Sequence, residues 1–212
     1  IAKAMHLMDD IIDLELEKVN LIISKIESDP EDQDVRRVEL ELWKKIKDMA
    51  LKGRRTGLGI TAEGDMLAAL GLRYGSEEAI DFAVEVHKTL AVEAYRASVM
   101  MAKDRGAFGV FNFEKEQGNP MVGRILEAAP ELRELMQQYG RRNIAMLTIA
   151  PTGTTSLMSQ TTSGIEPVFR PVYKRRRKIN PSDKDQVASF VDETGEKFIE
   201  YYVYHHQFVK WA

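Results

Sequence analysis

Residues 147–156 read Leu-Thr-Ile-Ala-Pro-Thr-Gly-Thr-Thr-Ser, and this stretch decides the predicted fold. It completes an almost continuously apolar run over residues 144–150, as expected of a strand that is covered on both faces. At Pro151 the run gives way to a loop of small hydroxyl side chains. The flanking sequence indicates helices between the strands, and strands joined by helical crossovers are typical of a parallel α/β sheet.

The loop after this strand, residues 151–156, has the composition of an anion-binding site. Gly153 allows the backbone to turn tightly and to approach a ligand closely. Successive N–H groups in such a turn, or at a helix N-terminus just after it, hold anions well. Because the loop has no lysine, it is not a Walker-type phosphate loop. A helix cap with a serine/threonine turn accounts for the same residues, so both interpretations stay open at this point.

Helical periodicity precedes this strand. Apolar residues at steps of three and four predict an amphipathic helix over residues 3–27 and a second helix that begins at Pro30 and ends at Gly53. We interpret the pair as a helical hairpin packed on its own domain, although a two-helix heptad seam also fits a coiled-coil interaction module. Further along, the pattern predicts a short strand at 57–60 and helices over 62–70, 76–106 and 130–140.

The sequence after Pro167 is typical of β structure. We expect a strand over residues 168–179 and a hairpin around 193–196 that leads into a strand over 198–204. The basic run formed by Arg170 and residues 174–178 should lie on an extended, solvated edge strand rather than on a helix. Nucleic acid is not an expected partner, because no aromatic stacking platform accompanies the run beyond Tyr173.

Composition places the chain in the globular class, since 44% of its 212 residues are hydrophobic, 30% are charged and the net charge is -3. It contains no cysteine, which excludes disulfides and cysteine nucleophiles, and its four histidines are too scattered for a metal site. No apolar run approaches the ~20 residues that span a bilayer. A soluble, cytoplasmic protein with no membrane partner is therefore expected. Both ends look cut, which indicates a fragment.

Three other features have structural explanations. Residues 57–62 match the G-x-G-x-x-A pattern, but no apolar strand precedes them, so dinucleotide binding is not expected. Glu63 and Asp65 are interpreted as first-turn carboxylates that complement a helix dipole. His205 and His206 are expected on a polar surface at a helix start, because adjacent residues of a helix do not face one ligand.

Several segments resemble the large, catalytic subunit of ribonucleotide reductases. They read Arg-Arg-Thr-Gly-Leu-Gly-Ile-Thr at 54–61, Asp-Met-Leu at 65–67 and Leu-Gly-Leu-Arg-Tyr-Gly-Ser at 70–76, and they continue over 142–156 and 163–169. Within this family, the Pro-Thr-Gly-Thr motif at residues 151–154 most resembles the sequence of the adenosylcobalamin-dependent class. The sequence departs from the family at residues 62–64, Ala-Glu-Gly, where Gly-Leu-Ala is more usual.

The resemblance implies an α/β fold, namely the C-terminal half of the family's ten-stranded α/β barrel, helix-rich, with an N-terminal helical hairpin and a C-terminal β-hairpin. We expect residues 1–53, 54–167 and 168–212 to form the hairpin, the half-barrel and a β-rich extension of one structural unit. In the family, the loop that matches this chain's holds the phosphates of a ribonucleoside di- or triphosphate. Its residues here are Pro151, Thr152, Gly153, Thr154, Thr155 and Ser156.

The resemblance also implies adenosylcobalamin for the whole enzyme, while this chain is expected to bind no cofactor or metal and to supply no catalytic residue. Its expected partner is the missing N-terminal half of the barrel. An apolar strand that half a barrel cannot cover predicts self-association or marginal stability. Two hypotheses follow: a reductase fragment that is inactive alone for lack of cysteines, or a non-catalytic helical interaction module derived from the reductase barrel.

Overall fold

The computed structural model describes residues 1–180, 182–183 and 186–211. They form two compact units, of which unit 1 comprises Ile1–Gly59 and Phe82–Thr148 and unit 2 comprises Ile60–Asp81 and Ile149–Ala212. No helix in the described part is long and apolar enough to cross a membrane. The helices are α1 Ala2–Glu27, α2 Gln33–Gly53, α3 Glu63–Ala69, α4 Glu77–Arg105, α5 Phe113–Glu116, α6 Pro120–Ala128, α7 Leu132–Tyr139, α8 Gly153–Ser159 and α9 Phe208–Trp211; the strands are β1 Val172–Lys178, β2 Phe190–Val191 and β3 Lys197–Tyr204.

Helix α1 of unit 1 follows the predicted periodicity. The buried apolar stripe of α1 recurs at steps of three, four and seven, as Met5, Ile12, Leu16, Val19, Ile23 and Ile26. In α2, by contrast, most of the predicted apolar positions are exposed, among them Val35, Val38, Leu42 and Met49. The predicted start of α2 at Pro30 is also wrong, because the helix begins at Gln33 and its N-cap is Asp32, whose side chain accepts a hydrogen bond from the N–H of Asp34. It ends at Arg54, which adopts a left-handed conformation with φ of 45°. The two helices contact each other, and Lys44 lies 3.5 Å from Glu27 across them.

The core of unit 1 combines side chains from α1, α4, α6 and α7. Its fully buried members include Met5, Val99, Met101, Leu132 and Met136. Polarizable, unbranched methionine side chains fill irregular gaps between helices that meet at different angles. The core is therefore helical, and α1 contributes Met5 to it.

Unit 1 contains a parallel bridge instead of the predicted barrel strands. Leu58 pairs with Leu147 in parallel, and the N–H of Leu58 donates to the carbonyl of Met146 at 2.7 Å. The predicted strand over residues 144–150 is therefore too long, and Ile149 near its end is 61% exposed. Parallel sheets are normally covered on both faces, and the two segments pair only with each other within the described residues.

A buried carboxylate contacts the two chain segments that lead into this bridge. Asp9 of α1 is 0% exposed, and its carboxylate accepts hydrogen bonds from Arg54 at 2.8 Å, Asn143 at 3.0 Å and Arg142 at 3.1 Å. Arg105 of α4 completes the cluster at 3.2 Å. A buried carboxylate is tolerated only with such compensation. Asp9 therefore ties α1 to both chain segments that lead into the bridge.

The C-terminal part of unit 2 is a three-stranded antiparallel sheet of order β1-β3-β2. Residues 174–178 of the basic run lie on β1, an edge strand, which confirms the extended conformation predicted for them, although β1 is shorter than the predicted strand over 168–179 and does not include Arg170. The hairpin between β2 and β3 is also confirmed. Most of the cations of β1 are paired, in the contacts Lys174–Glu200, Arg176–Glu200, Arg177–Asp183 and Lys178–Glu196. The hydrogen bond from Arg176, with a contribution from Lys174, holds the pKa of Glu200 below its ordinary value.

Candidate functional site

Helix α8 begins at the loop that the sequence selects. Its N-cap is Thr152, which has φ of 50° and ψ of 27°, a left-handed conformation that β-branched residues rarely adopt. The prediction placed the tight turn at Gly153, but Gly153 is already helical and does not have a positive φ. A Cβ at Gly153 would meet no other atom within 4 Å. The strained residue is therefore the threonine, and the space beside the glycine is open.

Two hydrogen bonds hold Thr152 in this conformation. Its hydroxyl accepts a hydrogen bond from the N–H of Gly164 at 2.7 Å and lies 2.9 Å from the hydroxyl of Thr61. Gly164 has φ of +49°, and a Cβ there would lie 2.9 Å from the carbonyl oxygen of Ala150. The segment around Gly164 can therefore approach the loop this closely only without a side chain.

Helices α3 and α8 begin in the same way but differ in how their first amides are satisfied. Each follows a left-handed residue, Ala62 for α3 and Thr152 for α8. In α3 the N–H groups of Ala62 and Glu63 donate to the carbonyls of Thr162 and Gly164.

The first amides of α8 are not satisfied in this way. No acceptor among the described residues takes the N–H groups of Gly153, Thr154 or Thr155, and no side chain caps the helix. The first N–H groups of a helix carry a partial positive charge and point away from it. Residues 153–155 are also exposed. The start of α8 is therefore a solvent-facing set of donors.

The hydroxyls of the loop divide into two groups. Those of Thr154 and Thr155 make no hydrogen bond with any described residue. Ser156 is buried, and its hydroxyl donates to the carbonyl of Gly153 at 2.8 Å. Thr152 is committed to Gly164 and Thr61. Thr154 and Thr155 therefore have hydroxyls available to a ligand, while Thr152 and Ser156 shape the loop.

Asp65 and His205 contact each other in unit 2, which the sequence did not suggest. Asp65 is 7% exposed, and its Oδ1 atom lies 2.9 Å from Nε2 of His205. The ring of His205 stacks on Trp211 with centroids 4.8 Å apart. Asp65 lies in the first turn of α3 as predicted, although it is buried there, whereas the interpretation of His205 as polar surface is wrong. Residues 140 positions apart meet here, and no local pattern reveals such a contact.

The unusual residue of the 62–64 segment, Gly64, lies against the same part of unit 2. A Cβ at Gly64 would overlap the carbonyl oxygen of Glu166 and lie 3.0 Å from the Cα of Pro167. The absence of a side chain therefore lets α3 pack directly on the backbone that also carries Gly164.

The arrangement suits the binding of an anion. It offers backbone and hydroxyl donors at one helix start, and a short anion such as a phosphate group would accept several of them together. The described residues contain no cluster of three or more metal-ligating side chains.

Comparisons with known proteins identify relatives of the chain. A family profile described as ribonucleotide reductase, barrel domain, matches residues 34–200. The vitamin B12-dependent ribonucleoside-diphosphate reductase of Mycobacterium tuberculosis is 34% identical over 142 residues, which are 67% of this chain and 18% of that protein. The protein of the same name from Thermoplasma acidophilum is 32% identical over 145 residues, 67% of this chain and 16% of that protein.

A relative without the vitamin B12 designation is more distant. The ribonucleoside-diphosphate reductase subunit alpha of Chlamydia pneumoniae is 29% identical over 146 residues, which are 60% of this chain and 14% of that protein. The chain spans less than a fifth of the length of these curated relatives.

Proposed function

Because the chain belongs to the ribonucleotide reductase barrel-domain family, we propose that it holds the substrate phosphates of a ribonucleotide reductase large subunit. The binding segment is the loop of residues 151–156 at the start of α8. Its substrate is a ribonucleoside di- or triphosphate, and the names of the relatives favour the diphosphate. The whole subunit would convert this ribonucleotide to a deoxyribonucleotide.

The observation that carries the proposal is the contrast between α8 and α3. Both begin after a left-handed residue, yet the N–H groups of Glu63 and Asp65 in α3 have acceptors, whereas those of Gly153 and Thr155 at the same positions of α8 have none within the described residues. Strain at Thr152, with φ of 50°, is typical of ligand clamps that the surrounding structure holds in place. A phosphate would satisfy the amides of residues 153–155 and accept hydrogen bonds from Thr154 and Thr155.

The proposed role of this loop is to bind and orient the substrate, and the radical chemistry is left to other parts of the subunit. The loop holds the phosphates through dipoles that need no reorganisation when the substrate binds. It contains no acid or base, so it moves no proton. The N-terminal half of the barrel would supply the cysteines that this chain lacks.

Vitamin B12 dependence is proposed for the whole enzyme, in line with the names of two relatives. Nε2 of His205 already faces Asp65 at 2.9 Å, and its ring is stacked on Trp211, so this histidine does not fit the role of holding the cofactor. The cofactor would supply the initial radical, and none of its contacts is assigned to this chain.

The purified chain is expected to form no deoxyribonucleotide, with or without adenosylcobalamin. Hydrogen abstraction in this family uses a cysteine, and the sequence has none. The measurement is product formation from a ribonucleoside diphosphate, with the chain alone and combined with the remainder of the barrel. Deoxyribonucleotide formed by the chain alone would contradict the proposal that the radical chemistry is carried out by other parts of the subunit.

Replacing Gly153 with valine tests the phosphate loop directly. The new side chain would enter open space beside the free amides without meeting the protein, so the chain should remain folded while the anion is displaced. We expect the affinity for a nucleoside diphosphate to fall at least about tenfold. The stability to urea should change by less than about 0.5 kcal/mol. Calorimetric titration of the chain combined with the remainder of the barrel measures the affinity.

Two further variants calibrate this experiment. Thr154→Ala removes one donor and should weaken binding by about 0.5–1.5 kcal/mol. Leu157→Ala is the matched control on the same helix, because Leu157 is 80% exposed and lies beyond the first turn, and it should leave the affinity unchanged. Equal binding by the folded wild type and Gly153→Val would exclude the loop as the phosphate site.

The alternative, a helical interaction module, is favoured by one observation. Helix α1 exposes Leu7, Leu14 and Leu21, each more than 60% accessible, at intervals of seven residues. Such a heptad stripe is typical of a helix that packs on another helix. Binding of a nucleoside diphosphate would support the reductase role, and its absence would support the interaction module.

A further inference from the structure

A buried carboxylate–imidazole pair connects the C-terminal end of unit 2 to helix α3. Oδ1 of Asp65 and Nε2 of His205 lie 2.9 Å apart, and their side chains are 10% and 15% exposed. Both atoms are buried and meet no hydrogen-bond geometry with any described residue, so the 2.9 Å approach to each other is the polar contact that the described part of the chain gives them. A buried polar or charged group without compensation is costly, so each group depends on the other.

The second oxygen of the same carboxylate leads to Thr162. Oδ2 of Asp65 accepts a long hydrogen bond from the N–H of Thr162 at 3.4 Å, and the N–H of Asp65 donates to the Thr162 hydroxyl at 3.2 Å. The carbonyl of Thr162 accepts hydrogen bonds from the N–H of Ala62 at 3.1 Å and from the hydroxyl of Thr61 at 3.2 Å. Asp65 therefore contacts Thr162 directly and is connected to Thr61 through it.

The last contact reaches the loop itself. The hydroxyl of Thr61 lies 2.9 Å from that of Thr152, the left-handed residue that begins α8. A continuous set of polar contacts thus runs from His205 through Asp65, Thr162 and Thr61 to Thr152. Every residue in it belongs to unit 2.

We propose that His205 is a positioning residue for the phosphate loop, acting through Asp65, Thr162 and Thr61 to hold Thr152 in its strained conformation. This inference rests on the phosphate-binding role proposed above. His205 itself does not contact the phosphate. Binding by backbone amides requires that they point in one direction before the ligand arrives, because ordering them on binding reduces affinity. Loosening Thr152 therefore weakens phosphate binding without removing any donor.

The test compares His205→Ala with His206→Ala in the chain combined with the remainder of the barrel. His206 is the exposed neighbour, so its variant controls for the loss of a histidine at this position. We expect His205→Ala to raise the Kd for a nucleoside diphosphate about five- to tenfold and His206→Ala to leave it unchanged. In steady-state assays KM should rise and kcat should stay constant, because the donors themselves are intact.

A second variant covers the case in which His205→Ala does not fold. Thr61→Val removes the hydroxyl that contacts Thr152 and leaves the Asp65–His205 pair in place, so it should raise the Kd in the same direction. His205→Gln keeps a side-chain N–H donor and should restore part of the affinity. A general loss of packing would lower stability without producing this order of affinities.

The outcomes separate this inference from the function on which it rests. Weak binding by Gly153→Val together with normal binding by folded His205→Ala or Thr61→Val would overturn the positioning role alone. If wild type and Gly153→Val bind the diphosphate equally, the proposed phosphate site fails, and the positioning role fails with it.

Discussion

Replacing Asp9 with alanine is expected to lower the free energy of unfolding of the chain by about 3–5 kcal/mol, the usual cost of removing one partner from a buried ion pair. Asp9 is 0% exposed, and Arg54, which donates to it at 2.8 Å, is itself 4% exposed. The variant leaves Arg54 with Asp13 as its remaining ion-pair partner within the described residues. Asn143 would also lose an acceptor for its side-chain amide.

Asp10→Ala is the matched control for this prediction. Asp10 is the next residue on α1 and contacts Arg105 at 2.6 Å, but the side chains of that pair are 53% and 37% exposed. An exposed pair contributes about 0–1 kcal/mol, so this variant should stay close to the wild type in urea unfolding. Equal losses in the two variants would show that burial of the Asp9 cluster is not what stabilises unit 1.

The same cluster gives the chain a defined response to acid. Burial alone raises the pKa of Asp9, but hydrogen bonds and charges from Arg54 and Arg142 outweigh it and hold the pKa below its ordinary value. The resulting stabilisation is complete above the unfolded pKa of about 3.9 and is lost as the pH falls through the lower folded value. As the pH falls from the unfolded pKa to the lower folded pKa of Asp9, the free energy of unfolding of Asp9→Asn should therefore decrease less than that of the wild type.

Replacing Gly64 with alanine should destabilise the chain by about 1–3 kcal/mol, although alanine is the better helix former. The added Cβ would overlap the carbonyl oxygen of Glu166, which is backbone and cannot rotate away. Helix α3 would have to move from the segment that carries Thr162 and Gly164, and both residues hold the first turn of α3.

Gly123→Ala, in the middle of α6, is the matched control and should act in the opposite direction. A Cβ at Gly123 would meet no atom within 4 Å, so the substitution should stabilise the chain by about 0.5–1 kcal/mol through helix propensity alone. Both values come from urea unfolding. A stabilised Gly64→Ala variant would mean that the close approach of α3 to Glu166 is not required.

Local patterns in the sequence determined the buried face of α1, the extended conformation of β1 and the family of this protein. The steps of three and four in α1 selected its buried face, because helix geometry places those positions on one side. Flanking prolines and β-forming residues identified β1 as a strand in spite of its charges. The long composite motifs identified the family, and the relatives confirm the resemblance to the vitamin B12-dependent reductases. The phosphate role of residues 151–156 stays a proposal.

Other features depend on contacts between distant residues, which no local pattern contains. Asp9 meets Arg142 across 133 positions, and Asp65 meets His205 across 140, so neither pair shows any periodicity in sequence. Because glycine adopts positive φ without strain, the sequence predicts the conformational freedom of the loop at Gly153. Hydrogen bonds between Thr152 and both Gly164 and Thr61 instead hold Thr152 in that conformation. The strain at the start of α8 is thus decided by the tertiary structure, because these two partners come from parts of the chain 12 and 91 positions away.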